Sequence, residues 1–92
     1  MAHTIRDKEK LLNRVRRMRG QLQAVERALA EERDCAVVLQ RIAACRGAIN
    51  GLMAEVIDGH VRYHVLNPDQ DPTSEQARGV QELLDVVKTY FR

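Results

Sequence analysis

One uninterrupted helical pattern, which begins after Asp34, limits the folds open to this chain more than any other feature of its sequence. Side chains that can line a helix face recur along it every three or four residues, at Cys35, Val38, Ile42, Cys45, Ile49, Leu52, Val56 and His60. Because Asp34 suits the N-cap position, we predict a helix from residue 35 to about residue 65. Some 30 residues of helix are about 45 Å long, too long for a compact three-helix monomer of this size. The surplus length predicts a partner chain.

The same helix carries three metal-ligand side chains that it keeps apart. The 25 residues from Cys35 to His60 correspond to roughly 37 Å of helix, whereas His60 and His64 lie one turn apart on one face. Antiparallel pairing of two such helices would bring Cys35 of one chain beside both histidines of the other. The midpoint of that pairing lies among small residues, which allow helices to approach closely: Ala43, Ala44, Gly47, Ala48 and Gly51. The spacing therefore predicts a metal site built by dimerisation.

Further ligands are available at the N-terminus. His3 lies in a short arm ahead of the first predicted helix, and a free N-terminal amine would add another nitrogen. A set of one thiolate and several nitrogens suits Ni(II), Co(II) or Zn(II), and coordination above four favours Ni(II) and Co(II) over tetrahedral Zn(II). Cys45 lies about 80° from Cys35 around the helix and fits the apolar pattern, so we interpret it as a core residue.

Two more helices are predicted on either side of the long one. Apolar residues spaced three and four apart over residues 11–29 indicate the first, and Thr4 with an Asp three residues later resembles a capping box at its start. Two prolines within residues 67–72 interrupt the chain. Thr73 with a Gln three residues later predicts the cap of the last helix. Residues 1–92 thus form a single all-α domain of three helices with a long central helix.

The composition excludes several classes of protein. It is 45% hydrophobic and 30% charged, which indicates a folded helical domain rather than a disordered segment. No apolar run approaches the roughly 18 residues of a membrane span, and the N-terminus lacks the apolar region of a signal peptide. Cys35 and Cys45 would lie about 15 Å apart along the helix, beyond disulfide reach, as in free thiols of a reducing compartment. We therefore expect a cytoplasmic protein without membrane association.

Positive charge is concentrated in the first half of the chain. Residues 1–46 contain 11 Lys and Arg against 6 Asp and Glu, whereas residues 47–92 contain 4 against 7. The apolar stripe of the first helix directs its arginines outward, where they would meet a polyanion. The candidate DNA contacts are Lys8, Lys10, Arg14, Arg16, Arg17 and Arg19, which Arg41 and Arg46 of the long helix could join. No helix-turn-helix, zinc-finger or RNA-binding motif is present, so binding would depend on surface shape and charge.

Three blocks of this sequence, LNRVRRMRGQ at residues 12–21, DC at 34–35 and RIAACRGAINGLM at 41–53, resemble the CsoR/RcnR/FrmR family of repressors. The resemblance extends over nearly the whole chain. It implies a disc-shaped homotetramer, a dimer of antiparallel dimers, with the sensor site between subunits. It also implies that the protein binds double-stranded promoter DNA and releases it when the sensor site is filled.

The sensor residues divide this family. Its copper sensors have a Cys-His-Cys set, with Cys where this chain has His64, and its formaldehyde sensors typically have Pro where this chain has Ala2 and commonly Glu at the position of His64. Nickel and cobalt sensors have His, Cys, His and His, which His3, Cys35, His60 and His64 match position by position. The resemblance thus implies a repressor that responds to Ni(II) or Co(II) and controls a metal efflux gene.

Two alternatives stay open. In a formaldehyde-responsive repressor, Cys35 and the N-terminal amine would form a methylene bridge, and the histidines would be dispensable. In a metal-binding or chaperone-like helical dimer, the protein would not bind DNA at all. An enzyme is not predicted, because no Glu is placed as a general base beside the histidine pair and no substrate pocket is evident.

Overall fold

The computed structural model describes residues 2–91, with side chains from Thr4 onward, and this part of the chain is all helical. Its four helices are α1 (Ala2–Arg6), α2 (Lys8–Ala30), α3 (Cys35–His64) and α4 (Glu75–Tyr90). The predicted all-α fold with a long central helix is confirmed. The long helix α3 begins at the predicted residue and ends one residue short of the predicted limit.

The first predicted helix is divided in two at Asp7. Its backbone at φ −98° and ψ 17° lies in the sparsely allowed bridge region and interrupts the helix. Helix α2 starts there, because the amide of Leu11 donates to the Asp7 carbonyl at 2.9 Å. The expected capping box at Thr4 is wrong, since α1 begins at Ala2 and Thr4 lies inside it. The break leaves α1 in contact with both α2 and α3.

The turn between α2 and α3 is a Schellman motif without glycine. The amide of Arg33 donates to the Ala28 carbonyl at 2.9 Å and that of Glu32 to the Leu29 carbonyl at 3.1 Å, the bonding pattern of this motif. Glu32 has a positive φ of 54°, which costs an L-residue energy that glycine avoids. Asp34 occupies the N-cap of α3, but its side chain makes no capping hydrogen bond.

The last helix, α4, is capped one residue later than predicted. The Oγ of Ser74 accepts a hydrogen bond from the Ala77 amide at 3.0 Å, whereas the hydroxyl of Thr73 donates to Asp71 at 3.0 Å. The choice of Thr73 as the cap is therefore wrong. Ala77 and Leu84, on the next turns, are 2% and 1% exposed and hold α4 against the rest of the chain.

The single chain is too extended to enclose a core of ordinary size. Its radius of gyration is 17.1 Å and its extents are 55 × 25 × 12 Å, whereas about 12 Å is typical for a compact domain of this length. The described residues expose 6917 Å², roughly 1,500 Å² more than a folded monomer of this mass. The buried apolar residues are Ala28, Ala54, Ala77 and Leu84. Within the described residues, no helix combines the length and the apolar character that crossing a membrane requires.

Candidate metal centre and nucleic-acid interface

One face of α3 carries both the predicted thiol ligand and the two predicted imidazole ligands. At about 100° per residue, its members lie within about 60° of arc around the helix. We call it the Cys–His face; it consists of Cys35, Ile42, Ile49, Met53, His60 and His64. The three ligand residues are exposed, and the apolar residues between them are 46% to 49% exposed. An apolar strip thus connects the thiol to the histidines, and the described chain leaves it largely uncovered.

The two histidines are already adjacent at the C-terminal end of α3. The ring centroids of His60 and His64 are 5.0 Å apart, and the ring planes are inclined by 37°. Cys35 lies at the opposite end of this 30-residue helix, roughly 37 Å away by helix rise. Among the side chains that the structure describes, no cluster of three His, Cys, Asp or Glu residues could hold a metal. The side chain of the fourth predicted ligand, His3, lies outside the described residues.

The donor set nevertheless fits a first-row metal ion if it is assembled from more than one chain. One chain offers two imidazoles at helical i, i+4 spacing, an arrangement that can share a metal. The thiol of Cys35 on another chain would add the soft ligand. Cys45 is half-buried and lines an apolar groove with Val15, Met18, Leu22 and Ile49, in agreement with its interpretation as a packing residue.

Two of the small residues near the middle of α3 lie beside side chains of α2. A Cβ added to Gly51 would lie 3.2 Å from Nη1 of Arg14, so this glycine makes room for a side chain of α2 in the same chain. Ala48 is half-buried and borders a pocket with Arg14 and Arg17. A Cβ added to Gly47 would meet nothing within 4 Å. Gly51 therefore makes room for packing within the chain, and its part in a crossing between chains stays a prediction.

Most of the predicted DNA contacts are exposed to solvent. The exposed residues are Lys8, Arg16, Arg17, Arg19, Arg41 and Arg46. The Nη1 of Arg16 donates a hydrogen bond to Oδ1 of Asn13 at 2.8 Å. Arg14 differs, because its side chain is only 34% exposed and turns towards α3. The expectation that the four candidate arginines of this helix point outward therefore holds for three of them.

Glu55 of α3 holds two of the predicted DNA-binding cations, and sequence reasoning missed this role. Its carboxylate forms ion pairs with Lys10 and with Arg14, whose Nε lies 2.6 Å from Oε2. Oε2 accepts no well-aligned hydrogen bond, so the Arg14 contact is mainly electrostatic. The hydrogen bond and negative charge of Glu55 raise the pKa of Lys10 above its ordinary value. We call these three residues the Glu55 cluster.

The Glu55 cluster forms one side of a charged cleft of about 470 Å³ between α2, α3 and α4. On the other side, Asp58 pairs with Arg62 one turn later and with Lys88 of α4, whose Nζ lies 3.3 Å from Oδ2. The Asp58–Arg62 spacing of four residues is visible in the sequence. The pairs that involve Glu55 and Lys88 join distant segments and leave no comparable local pattern.

The chain is similar to a known class of regulatory proteins. The sequence profile of the metal-sensitive transcriptional repressors matches residues 7–89, so the chain belongs to this family, whose members are regulators rather than enzymes. A transcriptional repressor RcnR of Salmonella paratyphi B is 45% identical over 92 residues, which is all of both chains. A Serratia marcescens protein, described as an uncharacterized protein in the bioA 5′ region, is 49% identical over the same span.

A solved structure has the same fold. It is a glutamate-to-histidine variant of the formaldehyde-responsive regulator FrmR from Salmonella enterica serovar Typhimurium. The TM-score is 0.64 at 41% sequence identity, and the match covers 92% of this chain and 94% of the other. The family resemblance inferred from the three sequence blocks is thereby confirmed, and with it the general function of a metal-sensitive, DNA-binding repressor.

Proposed function

We propose that this protein is a homotetrameric repressor that binds its operator in the metal-free state and releases it when Ni(II) or Co(II) binds, so that a metal efflux gene is expressed. Cys35 of one chain, His60 and His64 of a second chain, and His3 are the proposed ligands. The observation that carries the proposal is the shared Cys–His face of α3. Zn(II) would fit a four-coordinate version of the same set.

The uncovered surface of the chain supports an assembly. The excess of roughly 1,500 Å² over a compact monomer is more than the approximately 800 Å² that each partner buries in an interface of standard size. The apolar residues Ile42, Ile49 and Met53 lie on the Cys–His face and are about half exposed. If two α3 helices pair antiparallel through this face, each apolar strip covers the other. The same pairing brings each Cys35 to the histidine end of its partner.

The basic surface supports DNA binding. The exposed side chains that can reach phosphates are Lys8, Arg16, Arg17, Arg19 and Arg46, whereas Lys10 and Arg14 are paired with Glu55. A symmetric assembly would repeat this surface on each chain. Each phosphate contact contributes about −0.9 to the slope of log K against log salt concentration. We therefore expect strong salt dependence and modest sequence discrimination.

The two functions are coupled if filling the metal site changes the position of α1 and α2. His3 belongs to α1, and α1 joins α2 at Asp7, three residues before Lys10. Coordination of His3 would thus tighten α1 against the end of α3 and shift the chain segment that leads into the basic surface. A coupling free energy of about 1–3 kcal/mol corresponds to roughly 5–150-fold weaker DNA binding. The metal must then bind the DNA-free form more tightly by the same factor.

The test is the fluorescence anisotropy of labelled DNA from upstream of the protein's own gene, titrated with protein and then separately with Ni(II), Co(II), Zn(II), Cu(I) and formaldehyde. We expect near-stoichiometric Ni(II) or Co(II) to release the DNA. Cys35→Ala and His64→Leu should abolish the response without changing metal-free affinity. Cys45→Ala is the matched control on the same helix and should respond normally. Equal loss of DNA affinity and metal response in His64→Leu would contradict the assignment.

A charge-reversal pair tests the DNA surface separately. Arg17→Glu should weaken DNA binding strongly, whereas Arg78→Glu, an exposed arginine of α4, changes net charge equally and should have a much smaller effect. Similar effects of the two substitutions would place the DNA elsewhere. DNA affinity that is weak and insensitive to Arg17→Glu would favour a metal-binding helical dimer.

Formaldehyde sensing is the second candidate, favoured by the solved formaldehyde-responsive relative and by the exposure of Cys35. In that reaction, the Cys35 thiol and the N-terminal amine condense with formaldehyde, forming an N–CH2–S bridge and releasing one water. The reaction requires neither His3 nor His64. DNA release by formaldehyde that persists in the His3→Ala/His64→Leu double variant would therefore establish this function in place of metal sensing.

A further inference from the structure

The side chain of Arg6, the last residue of α1, lies over the ring of Tyr63 near the end of α3. Its Cζ is 5.2 Å from the ring centroid, within the range in which a cation is attracted to an aromatic face. Its Nη1 also donates a hydrogen bond to the phenol oxygen. One cation thus uses both the face and the hydroxyl of the same ring. The contact joins residues 57 positions apart in the chain.

Tyr63 borders the histidine pair. It follows His60 by three residues and immediately precedes His64, which puts it about 60° from His60 around the helix. The imidazole rings of His60 and His64 are 5.0 Å apart. Helix α1 therefore contacts, through Arg6, the residue that lies between the two proposed metal ligands in the sequence of α3.

Helix α1 has little stability of its own. With five residues, Ala2–Arg6, it is far shorter than the roughly 12–15 residues that an isolated helix needs for marginal stability. Its large aliphatic side chain, Ile5, is 73% exposed and contributes little apolar burial. The contact between Arg6 and Tyr63 is thus a specific side-chain interaction that links α1 to α3.

We propose that Arg6 and Tyr63 are positioning residues, which hold α1 beside His60 and His64 of the same chain and so present the N-terminal segment to the metal site before metal arrives. The consequence for metal binding rests on the proposed function, whereas the contact itself does not. A segment that is already placed loses less freedom when it contributes a ligand. Removal of the contact should therefore weaken metal binding although no ligand is changed.

The contact is tested first in the metal-free, full-length protein by NMR with labelled arginine. A guanidinium stacked on a ring has side-chain protons shifted upfield by the ring current. We expect such a shift for Arg6 in the wild type and its loss in Tyr63→Leu. Tyr90→Leu is the matched control, because Tyr90 is 80% exposed at the end of α4. Random-coil shifts for Arg6 in the wild type would overturn the proposal.

The positioning role is tested by Co(II) affinity and by the Co(II) absorption spectrum. Tyr63→Leu and Arg6→Gln should each weaken Co(II) binding about fivefold, and the double variant should be no weaker than either, because both remove one interaction. Tyr63→Phe keeps the ring face and should lose less Co(II) affinity than Tyr63→Leu. Tyr90→Leu should bind Co(II) as tightly as the wild type. The spectrum should change in Tyr63→Leu if α1 no longer delivers its ligand.

The outcomes separate this proposal from the proposed function. One outcome is that the wild type binds Co(II), His64→Leu does not, and Tyr63→Leu binds it as tightly as the wild type. The positioning role would then be wrong, and the metal-sensing function would stand. Additive losses in the double variant would also overturn the positioning role, because the two residues would then act independently. A wild type that binds neither Ni(II) nor Co(II) would overturn metal sensing and the positioning role together, while the NMR measurement would still decide whether the contact exists.

Discussion

Substitution of Glu55 by Gln should increase the affinity of the metal-free protein for DNA. In the wild type, Glu55 pairs with Lys10 and Arg14, which are two of the proposed phosphate contacts. DNA phosphates can use these cations fully only if they replace the carboxylate. Glu55→Gln removes the competing charge, keeps the size of the side chain and leaves both cations in place.

The exposure of the two cations sets the size of the effect. Lys10 is 64% exposed and Arg14 34%, so both pairs are at least partly screened by solvent. Pairs of this kind contribute about 0.2–1 kcal/mol each, with Lys10 at the lower end. A total of about 1 kcal/mol corresponds to about fivefold tighter DNA binding for each protomer that contacts DNA. The salt slope should steepen by about 0.9 for each cation that Glu55 keeps from phosphate in the wild type.

The assay is the anisotropy titration at several salt concentrations, with Glu9→Gln as the matched control. Glu9 is 78% exposed, and its distance of 3.9 Å from Arg16 Nη1 makes only a loose pair. Both substitutions remove one negative charge, so the difference between them isolates the contacts of Glu55. Circular dichroism and sedimentation should show that both variants fold and assemble like the wild type.

Equal effects of Glu55→Gln and Glu9→Gln would refute the reasoning, because the gain would then be a general change in net charge. Weaker DNA binding by Glu55→Gln would refute it more directly. It would mean that Glu55 orients Arg14 for the DNA instead of competing with it.

Four further predictions concern folding and assembly. Leu84→Ala should lower the free energy of unfolding by about 2–5 kcal/mol in urea titrations, because Leu84 is the large side chain with 1% exposure; a loss below 1 kcal/mol would contradict its core role. Ser74→Ala should cost about 1 kcal/mol and Thr73→Ala much less, and the reverse order would disprove the observed cap. Glu32→Gly should raise the thermal midpoint, with a gain of about 1 kcal/mol from relief of the positive φ. Ile49→Asp should dissociate the assembly in sedimentation experiments, whereas an unchanged oligomer would exclude the Cys–His face as an interface.

The sequence predicts the long-range architecture of this protein better than its short-range details. The apolar pattern and Asp34 locate α3 to within one residue at its C-terminal end, because a helix of eight turns has a strong period. The cap of α4 is misassigned by one residue, since Thr73 and Ser74 are both good cap residues and only backbone geometry distinguishes them. The break at Asp7 could not be predicted, because no proline or glycine lies near it in the sequence.

In the candidate site, too, some features could be predicted from the sequence and others could not. The common face of Cys35, His60 and His64 follows from helical spacing alone, and their role as metal ligands stays a prediction. The contacts of Glu55 with Arg14 and of Arg6 with Tyr63 join segments 41 and 57 positions apart, and no periodicity links such pairs. They depend on how α1 and α2 pack against α3, which only the three-dimensional structure reveals.

The central claim, a metal site shared between two chains, is tested most directly by complementation. Cys35→Ala chains and His60→Leu/His64→Leu chains are each titrated with Co(II), then mixed, allowed to exchange subunits and titrated again while the thiolate-to-Co(II) absorption is recorded. Neither variant alone should show the wild-type band, and random mixing should restore about a quarter of it, because half of the symmetric dimers are mixed and each has one complete site of two. No band after verified subunit exchange would contradict a site that joins Cys35 of one chain to the histidines of another.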